Sequence, residues 1–150
     1  MDIVNLKILR AYQSFPELPM TELADKVGLS HTACWKRLKR MEKDGYIEGR
    51  AVLLNQKLLG LNVSVIARVK LEQNATKVLD RFEQAVQECS EIISCYSTSG
   101  DSDYHLLIVA KSIEDYEVFM KEKLAKLPHV ASLNSSFVLK KIKNTMILPI

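Results

Sequence analysis

The stretch Met20-Thr21-Glu22-Leu23-Ala24-Asp25-Lys26-Val27-Gly28-Leu29-Ser30-His31-Thr32-Ala33-Cys34-Trp35-Lys36-Arg37-Leu38-Lys39-Arg40-Met41-Glu42-Lys43 sets the architecture of the first third of the chain. Leu23, Ala24 and Val27 share one face of a short helix, and Gly28 supplies the left-handed turn that ends it. Ser30 is an N-cap residue for a longer helix from His31 to Lys43, which stops at Asp44-Gly45. On a wheel of about 100° per residue, Cys34, Leu38 and Met41 form one buried stripe. Thr32, Lys36, Lys39 and Lys43 fall on the far side, with Trp35 and Arg40 on the flanks. Upstream, Ile3, Leu6, Ile8, Leu9 and Tyr12 recur at helical spacing, Asp2 caps them, and Phe15-Pro16 closes the segment. Three helices with a tight turn between the second and third make a helix-turn-helix.

Charge placement gives this motif a partner. The net charge is only +3, yet residues 1–57 hold ten basic and seven acidic side chains, and the remaining 93 hold eleven of each. Five of those ten basic residues lie between Lys36 and Lys43. A local basic cluster on a neutral background is a polyanion footprint, although a solvated helix face is the ordinary alternative for a bare charge run. The preceding turn favours double-stranded DNA, because the second helix of such a motif presents its outer face and N-terminal residues to the major groove. Ser30, His31 and Thr32 are placed for base edges, and Lys36, Lys39 and Arg40 for phosphate or guanine. Trp35 serves equally as a DNA contact or as a half-buried staple. Arg37 lies nearer the buried stripe, where an internal salt bridge and a phosphate contact are equally open.

The pattern changes after Gly45. Tyr46 to Asn55 reads as a turn followed by an extended strand, and residues 56–60 as a short connection, which gives a DNA-binding domain at 1–45, a linking strand and hinge at 46–60 and a second domain at 61–150. From Leu61 the alternation is strict, with Val63, Val65, Ala67, Val69 and Leu71 facing one way. An amphipathic helix at Thr76 to Glu88, strands at Ile92 to Ser99 and Tyr104 to Ala110, a helix at Ile113 to Leu127 and a strand at Val130 to Lys141 follow. Strand-helix-strand twice over predicts a ferredoxin-like βαββαβ sandwich with one sheet face bare. Strands two and three read as apolar on both faces, Ile92, Tyr96, Leu106 and Ile108 against Ile93, Cys95, Leu107 and Val109. A second copy of the same sheet is the simplest cover, so a two-fold dimer is expected. The apolar tail, Asn144 to Ile150, is expected to dock on its own or a neighbouring subunit.

Other classes fit less well. No apolar run approaches the roughly 20 residues that span a bilayer, and Asp2 and Lys7 break any secretory leader, so the chain reads as cytoplasmic. Cys34, Cys89 and Cys95 are odd in number, lack a CxxC pair and read as reduced thiols. His31, His105 and His129 stand too far from them for zinc spacing, and no metal is expected. Asp101, Asp103 and His105 cluster at one turn as acid-base groups would, but no nucleophile motif or phosphate loop accompanies them, and on strand geometry His105 points away from both carboxylates. The reading is therefore not an enzyme.

At this point the chain resembles the Lrp/AsnC (feast/famine) family of transcription regulators over essentially its whole length. The resemblance rests on Asp2 with Lys7-Ile8-Leu9, on Glu22-Leu23-Ala24 through Ser30, and on Cys34 to Glu42. It continues in Gly45-Tyr46-Ile47, Leu54-Asn55 with Leu59-Gly60, Gly100-Asp101-Ser102-Asp103-Tyr104, Ser136-Phe137-Val138-Leu139 and Leu148-Pro149-Ile150. Departures are Asn5, where the family usually has a second Asp, and His31, where it often has Pro. The resemblance implies an α+β chain, a winged-type helix-turn-helix followed by a ferredoxin-like (RAM) domain, with homodimers that commonly assemble to octamers. It also implies an amino-acid effector, rather than a cofactor, bound between dimers beside the turn joining strands two and three. Carried over, the effector positions are Tyr96, Thr98, Gly100, Asp101, Asp103 and Tyr104, with Ser135 or Ser136 on the opposing side. Backbone N–H groups at a Gly-containing bend can hold a carboxylate and an Asp can hold an ammonium, while the ordinary alternative for Gly100-Asp101 is a plain hairpin turn. Cys34 to Glu42 and Ile142 to Thr145 are most similar to a branch controlling cysteine detoxification. Cysteine is thus the favoured effector, with leucine, methionine and other small neutral amino acids open. The competing reading is a ligand-independent DNA-packaging protein.

Overall fold

Helix α1 spans Ile3–Ser14, and the Asp2 side chain accepts a hydrogen bond of 2.6 Å from the backbone N–H of Asn5, satisfying a donor the first helical turn leaves free. Helix α2 (Met20–Val27) ends at Gly28 with φ of 75°, and the Leu29 N–H reaches back to the Ala24 carbonyl at 2.9 Å. That 6→1 closure satisfies a terminal carbonyl and turns the chain sharply into α3 (His31–Lys43), whose N-cap hydroxyl on Ser30 accepts from the Ala33 N–H. Ile8, Leu23, Ala24, Cys34, Leu38 and Met41 are buried together, so the stripe read from the wheel is the core of this unit.

The computed structural model describes residues 1–73 and 75–150. Its two compact units are Met1–Leu53 with Lys143–Ile150, and Leu54–Ile142. The first therefore includes the final eight residues, which sequence reading had grouped with the second domain. Gln13 Nε2 donates to the Leu148 carbonyl at 2.8 Å, the Leu148 N–H returns a bond of 3.0 Å to Gln13 Oε1, and Arg10 Nε donates to the Ile150 carbonyl. The tail thus lies along α1 of its own chain.

The second unit holds β1 (Val63–Leu71), α4 (Thr76–Gln87), β2 (Ile92–Ser97), β3 (Tyr104–Ala110), α5 (Ile113–Glu122), a single 3-10 turn at Leu124–Lys126, and β4 (Val130–Phe137). The sheet order is β2-β3-β1-β4 with every neighbour antiparallel, the ferredoxin-like arrangement. Val65, Ala67 and Val69 of β1 are fully buried beneath Phe82, Val86, Tyr116 and Phe119, which places both helices on one face. Among the described residues no helix is long and apolar enough to cross a membrane.

Three details depart from the sequence reading. Residues 46–55 form no strand, because among the described residues no strand pairs with their N–H and C=O groups; Val52 is 84% exposed. The long helix expected from Ile113 breaks at Lys123, where the chain tightens into the 3-10 turn. A bulge between Ile92 and Ser94 resets the alternation of β2, so Ile92 and Tyr96 do not share a face. Ile92 pairs with Ile108 and Cys95 with Leu106 towards the helices, whereas Tyr96 pairs with His105 on the open face.

Candidate functional site

Helix α3 presents a polar surface opposite its buried stripe. His31, Thr32, Lys36, Lys39 and Arg40 are exposed, and Trp35 keeps 46% of its surface in solvent. These groups are not equally available. Arg37 Nη1 lies 2.7 Å from Asp2 Oδ2 and 2.9 Å from Asn5 Oδ1, so the internal salt bridge is the arrangement Arg37 adopts. The Asn5 N–H, followed by the Arg37 guanidinium, holds the Asp2 carboxyl below the usual aspartate range. Lys39 Nζ and Arg50 Nη2 converge on Glu42 at 2.6 and 2.7 Å, and the Lys39 bond leads in pulling the Glu42 carboxyl down. Arg40 sits 3.6 Å from Asp44. Among the described residues Lys36 has no ion-pair partner, which leaves its charge free for a polyanion.

The second candidate lies where β2 turns into β3. The Thr98 N–H donates to the Asp103 carbonyl at 2.9 Å, and Thr98 Oγ1 donates to the Ser102 carbonyl at 3.0 Å, closing the bend from both sides. Gly100 sits at φ of 121°, a conformation that side chains rarely tolerate. Asp101 is exposed at the tip, and Tyr96, 65% exposed, stands on the approaching strand. The bend carries backbone N–H groups and one exposed carboxylate, and the strand leading into it carries an aromatic face, groups of the kinds that can hold an ion with both an ammonium and a carboxylate.

The remaining positions are elsewhere. Asp103 Oδ2 accepts from the Leu71 N–H at 2.7 Å, while its own N–H donates to the Val69 carbonyl, so this carboxylate closes the end of β1. The Tyr104 phenol is buried on the helix side of the sheet and donates to Glu83 Oε1 at 2.6 Å. Burial, and then the Glu83 carboxylate, push that phenol well above its ordinary range. Ser135 also faces the helices, 2.5 Å from the Tyr116 hydroxyl, whereas Ser136 pairs with Ile66 on the open face. Thr98, Gly100 and Asp101 share the bend and Tyr96 stands on the strand that leads into it, whereas Tyr104 and Ser135 face the helices and Ser136 lies on β4. A row that sequence reading did not find runs across the open face: Tyr96, His105, Arg68 and Asn134 are register partners on β2, β3, β1 and β4. Only the pairing order reveals the row, because the bulge in β2 breaks the alternation that would otherwise place Tyr96. Among the described residues no group of three or more His, Cys, Asp or Glu is arranged to hold a metal.

Comparison with known proteins gives consistent matches along the chain. Residues 64–148 match the family model described as the Lrp/AsnC ligand binding domain, and residues 1–48 match the one described as winged helix-turn-helix DNA-binding. The Bkd operon transcriptional regulator of Pseudomonas aeruginosa is 37% identical over 142 residues, covering 95% of this chain and 93% of that protein. An AsnC family transcriptional regulator from Agrobacterium tumefaciens superposes with a TM-score of 0.93 at 38% identity, over 99% of this chain and 97% of the other. A transcriptional regulator of Neisseria meningitidis in complex with L-methionine superposes with a TM-score of 0.94 at 32% identity, over 99% and 96% of the two chains.

Proposed function

The chain belongs to the Lrp/AsnC family of DNA-binding transcription regulators with an amino-acid ligand domain, and from that premise we propose that it binds a palindromic operator as a homodimer whose assembly or DNA affinity responds to one small neutral amino acid. Cysteine, leucine and methionine are the effectors to try first; the Neisseria relative is described with methionine. The observation that supports this reading is the bend at Thr98 to Asp103, closed on itself by Thr98, with Gly100 at positive φ, Asp101 exposed and the exposed Tyr96 on the strand that leads into it. In the proposal, Asp101 takes the ammonium, the backbone donors of the bend take the carboxylate, and Tyr96 covers the side chain.

For DNA, Lys36 is assigned a phosphate, His31 and Thr32 the base edges, and Ser30 the cap that aims them. Lys39 and Arg40 reach phosphate only by exchanging Glu42 and Asp44 for it. Trp35 lies on the margin of that surface, and Arg37 braces it from behind. The open sheet face carries Ile66 and Leu107, register partners beside the polar row, and a second copy of the same face is the proposed cover, with octamers built from such dimers. Selection from a randomised duplex pool tests the DNA half. Enrichment of a two-fold symmetric sequence is expected; retention of all sequences alike would favour a packaging protein instead.

A further inference from the structure

Thr98 has one hydroxyl proton and two neighbours that compete for it. Its Oγ1 lies 3.0 Å from the Ser102 carbonyl and 3.0 Å from His105 Nδ1. A carbonyl can only accept, so when the Thr98 proton closes the bend, the bond to the imidazole must run the other way, from Nδ1–H to Oγ1. The closed bend therefore requires a proton on His105 Nδ1. The ring belongs to the open sheet face, where β1 presents Arg68 and Lys70 and β2 presents Tyr96. Arg68 Nη2 in turn donates to Asn134 Oδ1 of β4 at 3.2 Å, so the cross-strand row is tied at its far end as well.

We propose that His105 is a positioning residue of the effector site: its Nδ1–H holds Thr98 Oγ1, freeing the Thr98 proton to close the bend on the Ser102 carbonyl, and its place between Tyr96 and Arg68 joins that bend to the open sheet face. This deepens the effector reading above and rests on it. His105 touches no effector itself; it fixes the backbone donors that do.

The full-length chain tests this in two measurements. Nitrogen NMR of the labelled imidazole is expected to show His105 with its proton on Nδ1 at neutral pH and on Nε2 in Thr98→Val; an Nε2–H ring in the parent protein overturns the link. Titrations with L-cysteine, L-leucine and L-methionine are expected to show His105→Leu and Thr98→Val each about fivefold weaker than the parent, and the double variant no weaker than either. His105→Asn, whose amide N–H stands where Nδ1–H stood, restores the affinity, and Thr98→Ser retains it. Binding by the parent with undiminished binding by His105→Leu overturns this inference alone. Silence of the parent towards the whole panel overturns the effector reading, and this inference with it, while the NMR result still decides the His105 to Thr98 bond.

Discussion

Arg37 Nη1 stands 2.7 Å from Asp2 Oδ2, so the basic helix is pinned to the residue that caps the first helix of the chain. One guanidinium reaches Asp2 and Asn5 across 35 and 32 residues of sequence, and Asn5 supplies the oxygen a second carboxylate would otherwise give. Arg37→Ala is therefore expected to lower the melting temperature while leaving the salt dependence of DNA binding as steep as before. Parallel melting and salt-titration series check both halves. The pair is half-exposed, so its effect on stability is modest.

Lys36→Ala should behave in the opposite way. Lys36 has no ion-pair partner among the described residues, so in the proposed arrangement it serves DNA rather than the fold, and its loss is expected to weaken binding at all sequences and flatten the plot of log affinity against log salt by about one unit of slope. An unchanged slope removes Lys36 from the phosphate contacts.

Asp2 also predicts an acid response. Its folded carboxyl titrates lower than its unfolded one, so the stability it contributes is present above the unfolded value and is lost as pH falls through the folded value, below about pH 4. Acid melts of the parent and of Asp2→Asn should converge there. Parallel curves at every pH would separate Asp2 from that loss.

Two carboxylates two residues apart should give different phenotypes. Asp101 is exposed at the tip of the bend, and Asp101→Ala is expected to abolish the amino-acid response and leave the fold and bare DNA binding intact. Asp103 accepts the Leu71 N–H, and Asp103→Ala is expected to cost about 1–3 kcal/mol of stability by leaving that donor unpaired. Denaturant melts and effector titrations of the two variants distinguish them; loss of DNA binding by a folded Asp101→Ala protein would contradict the division of labour.

Tyr104 offers a contrast in chemistry. Tyr104→Phe removes the bond to Glu83 but not the packing against Phe82, whose ring centre lies 4.6 Å away, so a loss of about 1–3 kcal/mol is expected, without change in effector affinity. The phenol is held protonated in the folded chain. Its contribution is therefore complete below about pH 10 and is lost as pH rises beyond it. A parent whose stability is flat across alkaline pH would contradict this.

The local signals in the sequence were strong where one residue type serves one physical need. Asp2, Gly28 and Ser30 marked the ends of helices, and Cys34, Leu38 and Met41 marked the core of the first unit, because capping and helical burial act within a few residues. The strict alternation of β1 likewise revealed its buried face. Strand β2 misled because an extra residue at the bulge shifts every later side chain to the other face, and no composition signal announces a bulge. Residues 46–55 carry strand-forming side chains but find no partner strand among the described residues, since pairing is a property of neighbours and not of the segment. Arg37 could be assigned only once α1 and α3 were seen together. The separate fates of Asp101, Asp103 and Tyr104 depended on which backbone groups the turn left unpaired, and the row through His105 depended on register between strands far apart in sequence.

The measurement that tests the central claim most directly is a thermal-shift screen of the purified protein against the twenty amino acids, with light scattering on any hit, since a ligand that binds the native state raises its apparent stability. The account predicts that at least one small neutral amino acid raises the melting temperature and changes the size of the assembly. No response across the whole panel, from a protein that still binds DNA, would contradict it.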